Sequence, residues 1–131
     1  MRRRKFAQDE AMDILIVESD PDLGDLWARH LRREGGTVSL VQTQSAAILA
    51  LQSGRFDIIV LDLMLTEGSA LAVADFASYS SPETRVVFVT DTSFFSDGSI
   101  FALSANACAY VRSSTTPEDL AAIVEHHGKP R

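Results

Sequence analysis

Five short apolar runs, rich in β-branched residues, alternate along the chain with segments whose apolar residues recur at helical spacing. Continuous runs of this kind are typical of strands that are covered on both faces in a parallel sheet. They predict strands over residues 12–17, 37–41, 57–62, 85–90 and 108–111. Helices, counted with their capping residues, are predicted over residues 20–34, 44–52 and 69–79, over a segment that reaches about residue 105, and after residue 116.

Helix-capping residues support these boundaries. Asp20 and Pro21 supply a side-chain cap and a first-turn proline, and Thr116 and Pro117 repeat that combination at the last helix. Five strand–helix units joined by right-handed crossovers predict an α/β fold, a three-layer, doubly wound, flavodoxin-like domain with a five-stranded parallel sheet. We expect the strand order 2-1-3-4-5, because it places strands one and three side by side at the switch point of the topology.

Composition and charge narrow the classes of function. The net charge of −6 argues against a protein that binds the nucleic-acid backbone, which needs a basic face. No stretch approaches the ~18 apolar residues of a membrane-spanning helix. The single cysteine, Cys108, cannot form a disulfide within the chain and suits a reducing compartment, so we expect a cytoplasmic protein.

The chain is expected to form one domain, over residues 12–127, between a flexible N-terminal tail of residues 1–11 and a C-terminal tail of residues 128–131. The N-terminal tail carries a basic cluster at residues 2–5, which is either a solvated, mobile end or a contact for an anionic partner. Too few residues follow the domain for an attached effector, so a single-domain protein is predicted.

Candidate chemistry lies where the third strand ends. Asp62 closes an apolar run, and in an open α/β sheet ligands bind outside the carboxyl ends of the strands. A carboxylate there could bind a metal ion, attack phosphorus to form an aspartyl phosphate, or simply cap a helix or end a loop. The segment Glu18-Ser19-Asp20 follows strand one and would meet Asp62, and such a set of oxygen donors suits Mg²⁺. Thr90, which ends strand four, could donate its hydroxyl to a phosphoryl oxygen.

Four segments resemble those of the receiver domains of two-component response regulators. Residues 14–21 (ILIVESDP) are similar to that family's first strand and acidic loop, and residues 56–65 (FDIIVLDLML) to its phosphoacceptor strand. Residues 86–90 (VVFVT) are similar to the strand that ends in the switch hydroxyl, and residues 109–120 (AYVRSSTTPEDL) to the last strand and helix entry. The resemblance spans residues 12–126, with the four segments in the family's order.

The resemblance implies a role for each matching residue. Asp62 would be the phosphoacceptor, and Mg²⁺ would be held by Glu18, by Asp62 and by the backbone carbonyl of Met64. Thr90 would be the switch residue, and Tyr110 the aromatic residue whose rotamer follows it. The phosphoryl donor would be a histidine kinase or a histidine phosphotransfer protein. The output would be a changed face around strand five and the helix before it, offered to a downstream protein.

Several positions depart from the family's pattern. Ser19 stands where the family has the second acid of its acidic pair, and Ser113 stands where it has a lysine. Asp20 is a possible substitute ligand for the metal ion, although it also suits a helix cap. Arg112 could replace the lysine only if strand five slipped by one residue, because its side chain should otherwise point to the opposite face. Asp91 follows the switch position, where the family has a small residue, and adds a negative charge.

Three functional hypotheses follow. The first is a single-domain receiver in a phosphorelay, which accepts a phosphoryl group on Asp62 and signals by protein contacts. The second is a phosphorylation-independent pseudo-receiver, a binding module that Ser19 and Ser113 motivate. The third, an enzyme of the haloacid dehalogenase type, is disfavoured because Met64 stands at the second acid of that family's motif. The sequence therefore predicts a signalling module rather than an enzyme, with no direct binding to nucleic acid.

Overall fold

A five-stranded parallel sheet forms the centre of the fold. The computed structural model describes residues 12–91 and 106–128. Its strands are β1 (Asp13–Val17), β2 (Thr37–Val41), β3 (Ile58–Asp62), β4 (Arg85–Thr90) and β5 (Ala107–Arg112), and its helices are α1 (Pro21–Arg33), α2 (Gln44–Ser53), α3 (Ala70–Ser80) and α4 (Pro117–Gly128). The strands follow the order β2-β1-β3-β4-β5, which confirms the order predicted from the sequence. Within these residues no helix is long and apolar enough to cross a membrane.

The two faces of the sheet carry separate apolar clusters, because successive side chains of a strand point to opposite faces. On one face, alternate residues of β1 pack with Trp27 of α1 and Leu120 of α4. On the other face, the remaining residues of β1 pack with Ala47 of α2 and Val73 of α3. The fold is therefore the predicted three-layer α/β domain, with helices on both sides of the sheet.

Short polar side chains fix where the helices begin. Asp20, Thr43, Ser69 and Thr116 each precede a helix, and the side chain of each accepts a hydrogen bond from a backbone amide of the first turn. Such caps satisfy amides that have no partner within the helix. The caps that the sequence predicts at Asp20, Ser69 and Thr116 are thereby confirmed.

The parallel register brings the carboxyl ends of the strands to one edge of the sheet. Val17 of β1 lies opposite Leu61 of β3, and Asp62 lies opposite Val89 of β4. β5 runs beside β4 in the same direction. The residues that follow β1, β3, β4 and β5 therefore emerge close together, as expected at the switch point of a doubly wound sheet.

Several predicted segments lie outside the described residues or at the end of the last helix. The helix predicted to reach about residue 105, the N-terminal tail of residues 1–11 and the end of the C-terminal tail lie outside the described residues. Gly128 begins the predicted C-terminal tail, but in the structure it is the buried last residue of α4. A Cβ atom there would meet the Met12 sulfur at 2.7 Å, so this end of α4 packs closely against the start of the domain.

The loop between β3 and α3 is held against the start of α2. The Gln44 amide donates to the Glu67 carbonyl at 3.1 Å, and the Gln44 side-chain oxygen accepts from the Ser69 amide at 2.8 Å. Gly68 lies between these bonds with φ at +97°, a conformation that glycine adopts at little cost. A Cβ atom on Gly68 would lie 2.3 Å from the Gln44 Cβ atom. Because this loop follows Asp62, its anchoring fixes the backbone beside the candidate site.

We expect Gly68→Ala to lower the free energy of unfolding by about 1–3 kcal/mol, because alanine is strained at this φ and its Cβ atom displaces Gln44. Gly54→Ala is the matched control, since a Cβ atom there meets nothing within 4 Å and the backbone is extended at φ −159°. That variant should stay within about 1 kcal/mol of the native protein. Urea unfolding measures both, and equal stability of the two variants would contradict the prediction.

Candidate functional site

The carboxyl ends of the strands surround a cavity of about 350 Å³. Its lining comes from the loops after β1, β3, β4 and β5 and includes four acidic side chains. The lining residues are Glu18, Ser19, Asp20, Leu23, Asp62, Met64, Thr66, Asp91 and Ser113. The structure thus brings most of the residues selected from the sequence to one place, and among the described lining residues it adds no lysine or arginine.

Glu18 is a buried acid at the floor of this cavity, with 3% of its surface exposed. Its Oε2 atom accepts a hydrogen bond from the Asp20 amide at 3.1 Å. Within the described residues its Oε1 atom has no hydrogen-bond partner, and the carboxyl of Asp62 lies close to the Glu18 carboxyl. Burial first, and then the closeness of that second carboxyl, raises the pKa of Glu18 to about 8.

Asp62 is half-buried at the end of β3. Its Oδ1 atom accepts a hydrogen bond from the Met64 amide at 2.9 Å, which holds the carboxylate in one orientation. The Leu63 amide donates to the Val89 carbonyl at 2.8 Å, so the chain leaves the sheet only after Asp62. The side chain of Met64 is 62% exposed, and the residue lines the cavity next to Asp62.

The other two residues of the loop after β1 make hydrogen bonds to backbone amides. Asp20 caps α1, and its Oδ1 atom accepts from the Asp22 amide at 3.0 Å and the Leu23 amide at 3.4 Å. Of its two predicted roles, the cap is the one seen in the structure. The Ser19 hydroxyl accepts from the Thr66 amide at 2.9 Å and ties the loop after β1 to the loop after β3. The cap at Asp20 was predicted from the sequence, whereas the contact of Ser19 was not.

Thr90 and Tyr110 lie on the same face of neighbouring strands. Thr90 is 1% exposed and follows Phe88 by two residues, which puts both side chains on the face that packs against α2 and α3. Tyr110 is paired with Phe88 and packs against the same apolar cluster. The two residues assigned to the switch are therefore close neighbours in the sheet.

Ser113 and Asp91 are bonded to each other across the ends of β4 and β5. The Ser113 hydroxyl donates to Asp91 Oδ1, and the Arg112 guanidinium donates to the Asp91 carbonyl at 3.4 Å. Arg112 is exposed and is not among the residues that line the cavity, in agreement with its expected direction. Sequence reasoning considered Asp91 and Ser113 separately and missed this contact. The pairing of Thr90 with Arg112 in a parallel sheet is the signal that could have revealed it.

The carboxyl oxygens in the cavity suit a hard cation as metal ligands. The Glu18 carboxyl has a buried oxygen without a hydrogen-bond partner among the described residues, and the Asp62 carboxyl lies close to the Glu18 carboxyl. No group of three or more His, Cys, Asp or Glu side chains in residues 12–91 and 106–128 is arranged to hold a metal ion by itself. A cation at this site would therefore complete its coordination with backbone oxygens and water, as Mg²⁺ commonly does.

A family model of the response regulator receiver domain matches residues 14–125. The chain belongs to this family. Receiver domains are signalling modules of two-component systems and typically bind Mg²⁺, so this assignment gives no support to the hydrolase alternative.

Individual relatives agree with this assignment. The receiver domain is 35% identical over 109 residues to the response regulator protein PmrA of Pseudomonas aeruginosa, covering 83% of this chain and 48% of PmrA. It is 30% identical over 120 residues to TcrX of Mycobacterium tuberculosis, covering 92% of this chain and 50% of TcrX. The chain thus spans about half the length of the curated relatives it matches.

A solved structure supports the fold. The CheY-like receiver domain protein of Methanospirillum hungatei superposes with a TM-score of 0.82 at 24% identity, over 90% of this chain and 94% of that one. The match covers nearly all of both chains and supports the three-layer architecture of the described residues.

The raised pKa of Glu18 predicts a pH-dependent stability. Folded Glu18 keeps its proton up to about pH 8, whereas a glutamate of ordinary pKa, 4.5, loses it earlier. Between these values the folded chain binds more protons than the unfolded chain, so stability should fall as the pH rises. In metal-free buffer with chelator, we expect Glu18→Gln to remove a loss of about 1–3 kcal/mol across this range.

Thermal or urea unfolding of the native protein and of Glu18→Gln from pH 5 to 8.5 measures the difference. Other titrating groups, such as His127 with its lowered pKa, contribute to both proteins and cancel. Parallel pH profiles for the two proteins would show that Glu18 titrates normally.

Proposed function

We propose that this receiver domain accepts a phosphoryl group on Asp62 from a histidine kinase or a histidine phosphotransfer protein. The supporting observation is the pair of neighbouring carboxyl groups at the ends of β1 and β3. Glu18 is buried there, and its Oε1 atom has no donor in the described residues. A cation between Glu18 and Asp62 would displace the Glu18 proton and offset the two carboxylate charges, and a carboxylate beside a cation is well placed to attack phosphorus.

The transfer would be a displacement at phosphorus. An oxygen of Asp62 forms the new bond, while the bond to the donor's histidine nitrogen breaks and its electron pair stays with that nitrogen. The Met64 amide, bonded to Asp62 Oδ1, keeps the carboxylate oriented during this step. Mg²⁺, held by Glu18, Asp62 and the Met64 carbonyl, would supply positive charge to the phosphoryl oxygens.

Signalling would follow from a local change in hydrogen bonding. We propose that the Thr90 hydroxyl responds to the phosphoryl group and that Tyr110 changes rotamer with it. Their position on one face of neighbouring strands supports this coupling. A downstream protein would then recognise the changed surface beside β5.

We also propose where and how the domain acts. The single cysteine suits the cytoplasm, where a kinase partner would act. The chain covers about half of TcrX and about half of PmrA. The absence of direct nucleic-acid binding therefore stays a prediction for this chain. A single-domain mode of action, by protein contacts, is likewise proposed.

Acetyl phosphate with Mg²⁺ should add one phosphoryl group to the native domain, seen as a mass increase of about 80 Da. Asp62→Asn should show no increase, because an amide cannot attack phosphorus. Beryllofluoride with Mg²⁺ should shift the amide resonances of Thr90 and Tyr110 in the native protein but not in Asp62→Asn.

Asp57→Asn is a matched control, since Asp57 lies at the opposite end of β3 and accepts a bond from the Asp13 amide. It should be modified at the native rate. Modification of Asp62→Asn at the native rate would place the acceptor elsewhere, and no response of the native protein at millimolar Mg²⁺ would refute the acceptor role.

A phosphorylation-independent binding module is the second candidate. The contacts that favour it involve Ser19 and Ser113, the two serines that depart from the family's pattern. The Ser19 hydroxyl is bonded to the Thr66 amide, and the Ser113 hydroxyl is bonded to Asp91. Neither serine supplies the charge that an acid or a lysine would bring to the cavity. A domain with this arrangement could present its binding face without modification.

Ser19→Asp distinguishes the two candidates. A carboxylate at this position adds a charged ligand beside Glu18 and Asp62, so we expect it to tighten Mg²⁺ binding by about tenfold. It should also increase phosphorylation by acetyl phosphate at limiting Mg²⁺. Amide shifts during a Mg²⁺ titration measure the affinity.

Ser39→Asp adds the same charge at an exposed position on β2 and should leave the affinity nearly unchanged. If the two variants bind Mg²⁺ equally, residue 19 lies outside the metal's coordination shell. If Ser19→Asp alone becomes phosphorylated, the native domain is the binding module.

A further inference from the structure

Asp91 is an acidic residue that lines the same cavity as the proposed acceptor, and among the described residues no cationic side chain is paired with it. Its carboxylate accepts a hydrogen bond from the Ser113 hydroxyl, and both side chains line the cavity. The nearby Arg112 guanidinium reaches the Asp91 backbone carbonyl at 3.4 Å. Over residues 12–91 and 106–128, no ion pair joins a lysine, arginine or histidine to the Asp91 carboxylate. Within the described part of the chain, no ion pair therefore offsets its negative charge at the cavity.

The hydrogen bond from Ser113 decides where that charge lies. Asp91 is exposed, so an unrestrained side chain could turn towards solvent. The bond instead fixes the carboxylate at the ends of β4 and β5, on the cavity wall. Its charge therefore lies on the wall of the cavity that Asp62 also lines.

The cavity as a whole is strongly biased towards cations. Glu18, Asp20, Asp62 and Asp91 line it, and among the described lining residues no lysine or arginine opposes them. The Asp20 carboxylate is bonded to the amides of α1, and the Asp62 carboxylate to the Met64 amide. Asp91 differs from both, because the group that donates to it is a side-chain hydroxyl and not a backbone amide.

We propose that Asp91, held by Ser113, sets the charge selectivity of the cavity. Its carboxylate strengthens the binding of a divalent cation and opposes a phosphoryl group on Asp62. The part that concerns phosphoryl transfer rests on the proposed function of Asp62. Asp91 is thus a selectivity residue, and Ser113 is the residue that positions it.

Transfer from acetyl phosphate shows why the two effects have opposite signs. The bond between an Asp62 oxygen and phosphorus forms, the bond from phosphorus to the acetyl oxygen breaks, and acetate leaves with the electron pair. The phosphoryl oxygens carry negative charge throughout and arrive beside Asp91. Removing the Asp91 charge should therefore speed transfer, while the same change should weaken Mg²⁺ binding.

Asp91→Asn tests the proposal, because it removes the charge and keeps an oxygen that can accept from Ser113. At saturating Mg²⁺ we expect phosphorylation by acetyl phosphate to be at least about fivefold faster, followed by intact mass. We expect the Mg²⁺ dissociation constant, from amide shifts, to rise by at least about threefold. Asp75→Asn, which removes an exposed acid on α3 away from the cavity, should change neither value.

Variants of Ser113 test the positioning role. Ser113→Ala keeps the Asp91 charge but frees it to turn to solvent, so both values should move in the same direction as in Asp91→Asn, by a smaller factor. Ser113→Thr keeps the hydroxyl and should restore native values. Equal behaviour of the alanine and threonine variants would show that the hydrogen bond has no part in the selectivity.

The outcomes separate this inference from the proposed function. If Asp91→Asn matches Asp75→Asn in both measurements, or slows transfer, the charge selectivity is refuted even if Asp62 is modified. If no variant is phosphorylated but Asp91→Asn still weakens Mg²⁺ binding, the acceptor role of Asp62 fails and the selectivity stands. Faster transfer with weaker Mg²⁺ binding supports both.

Discussion

The parallel register of β1, β3 and β4 is the constraint on which the site depends. It places Glu18, Asp62 and Asp91, which are far apart in the sequence, at one edge of the sheet. The apolar clusters on the two faces fix this register, since a slip of one residue would turn each buried side chain to the opposite face. The packing energy of the sheet thus holds together acids that repel one another. Burial first, and then the nearby Asp62 carboxyl, raises the pKa of Glu18 at this edge.

The fold and the place of the site were predictable because they depend on patterns that reach along the chain. Continuous apolar runs gave the strands, and the run ending in Asp62 marked the correct edge. The contacts of the two serines were not predicted, for different physical reasons. The Ser113–Asp91 bond follows from strand pairing and could have been inferred. The Ser19–Thr66 bond depends on the shape of the loop around Gly68, which no periodic pattern encodes.

The residues that depart from the family's pattern together change the charge of the site. A serine in place of an acid removes one charge that would hold a cation, and the Oδ1 atom of the neighbouring Asp20 is engaged in capping α1. A serine in place of a lysine removes positive charge, and Asp91 adds negative charge beside it. Less positive charge therefore balances the acids of the cavity, while fewer acidic side chains are available to bind a cation. A site of this kind responds to the supply of divalent cations more than one that carries its own lysine.

The loop after Asp62 is attached at both of its sides by neutral groups. The Ser19 hydroxyl accepts from Thr66, and the Gln44 amide oxygen accepts from Ser69. Hydrogen bonds between uncharged groups depend little on salt, whereas the acids that line the cavity would respond to a bound divalent cation. The conformation of the loop and the charge of the cavity consequently respond to different solution conditions. A partner that recognises the outline of this loop would meet the same outline whatever the ionic composition of its surroundings.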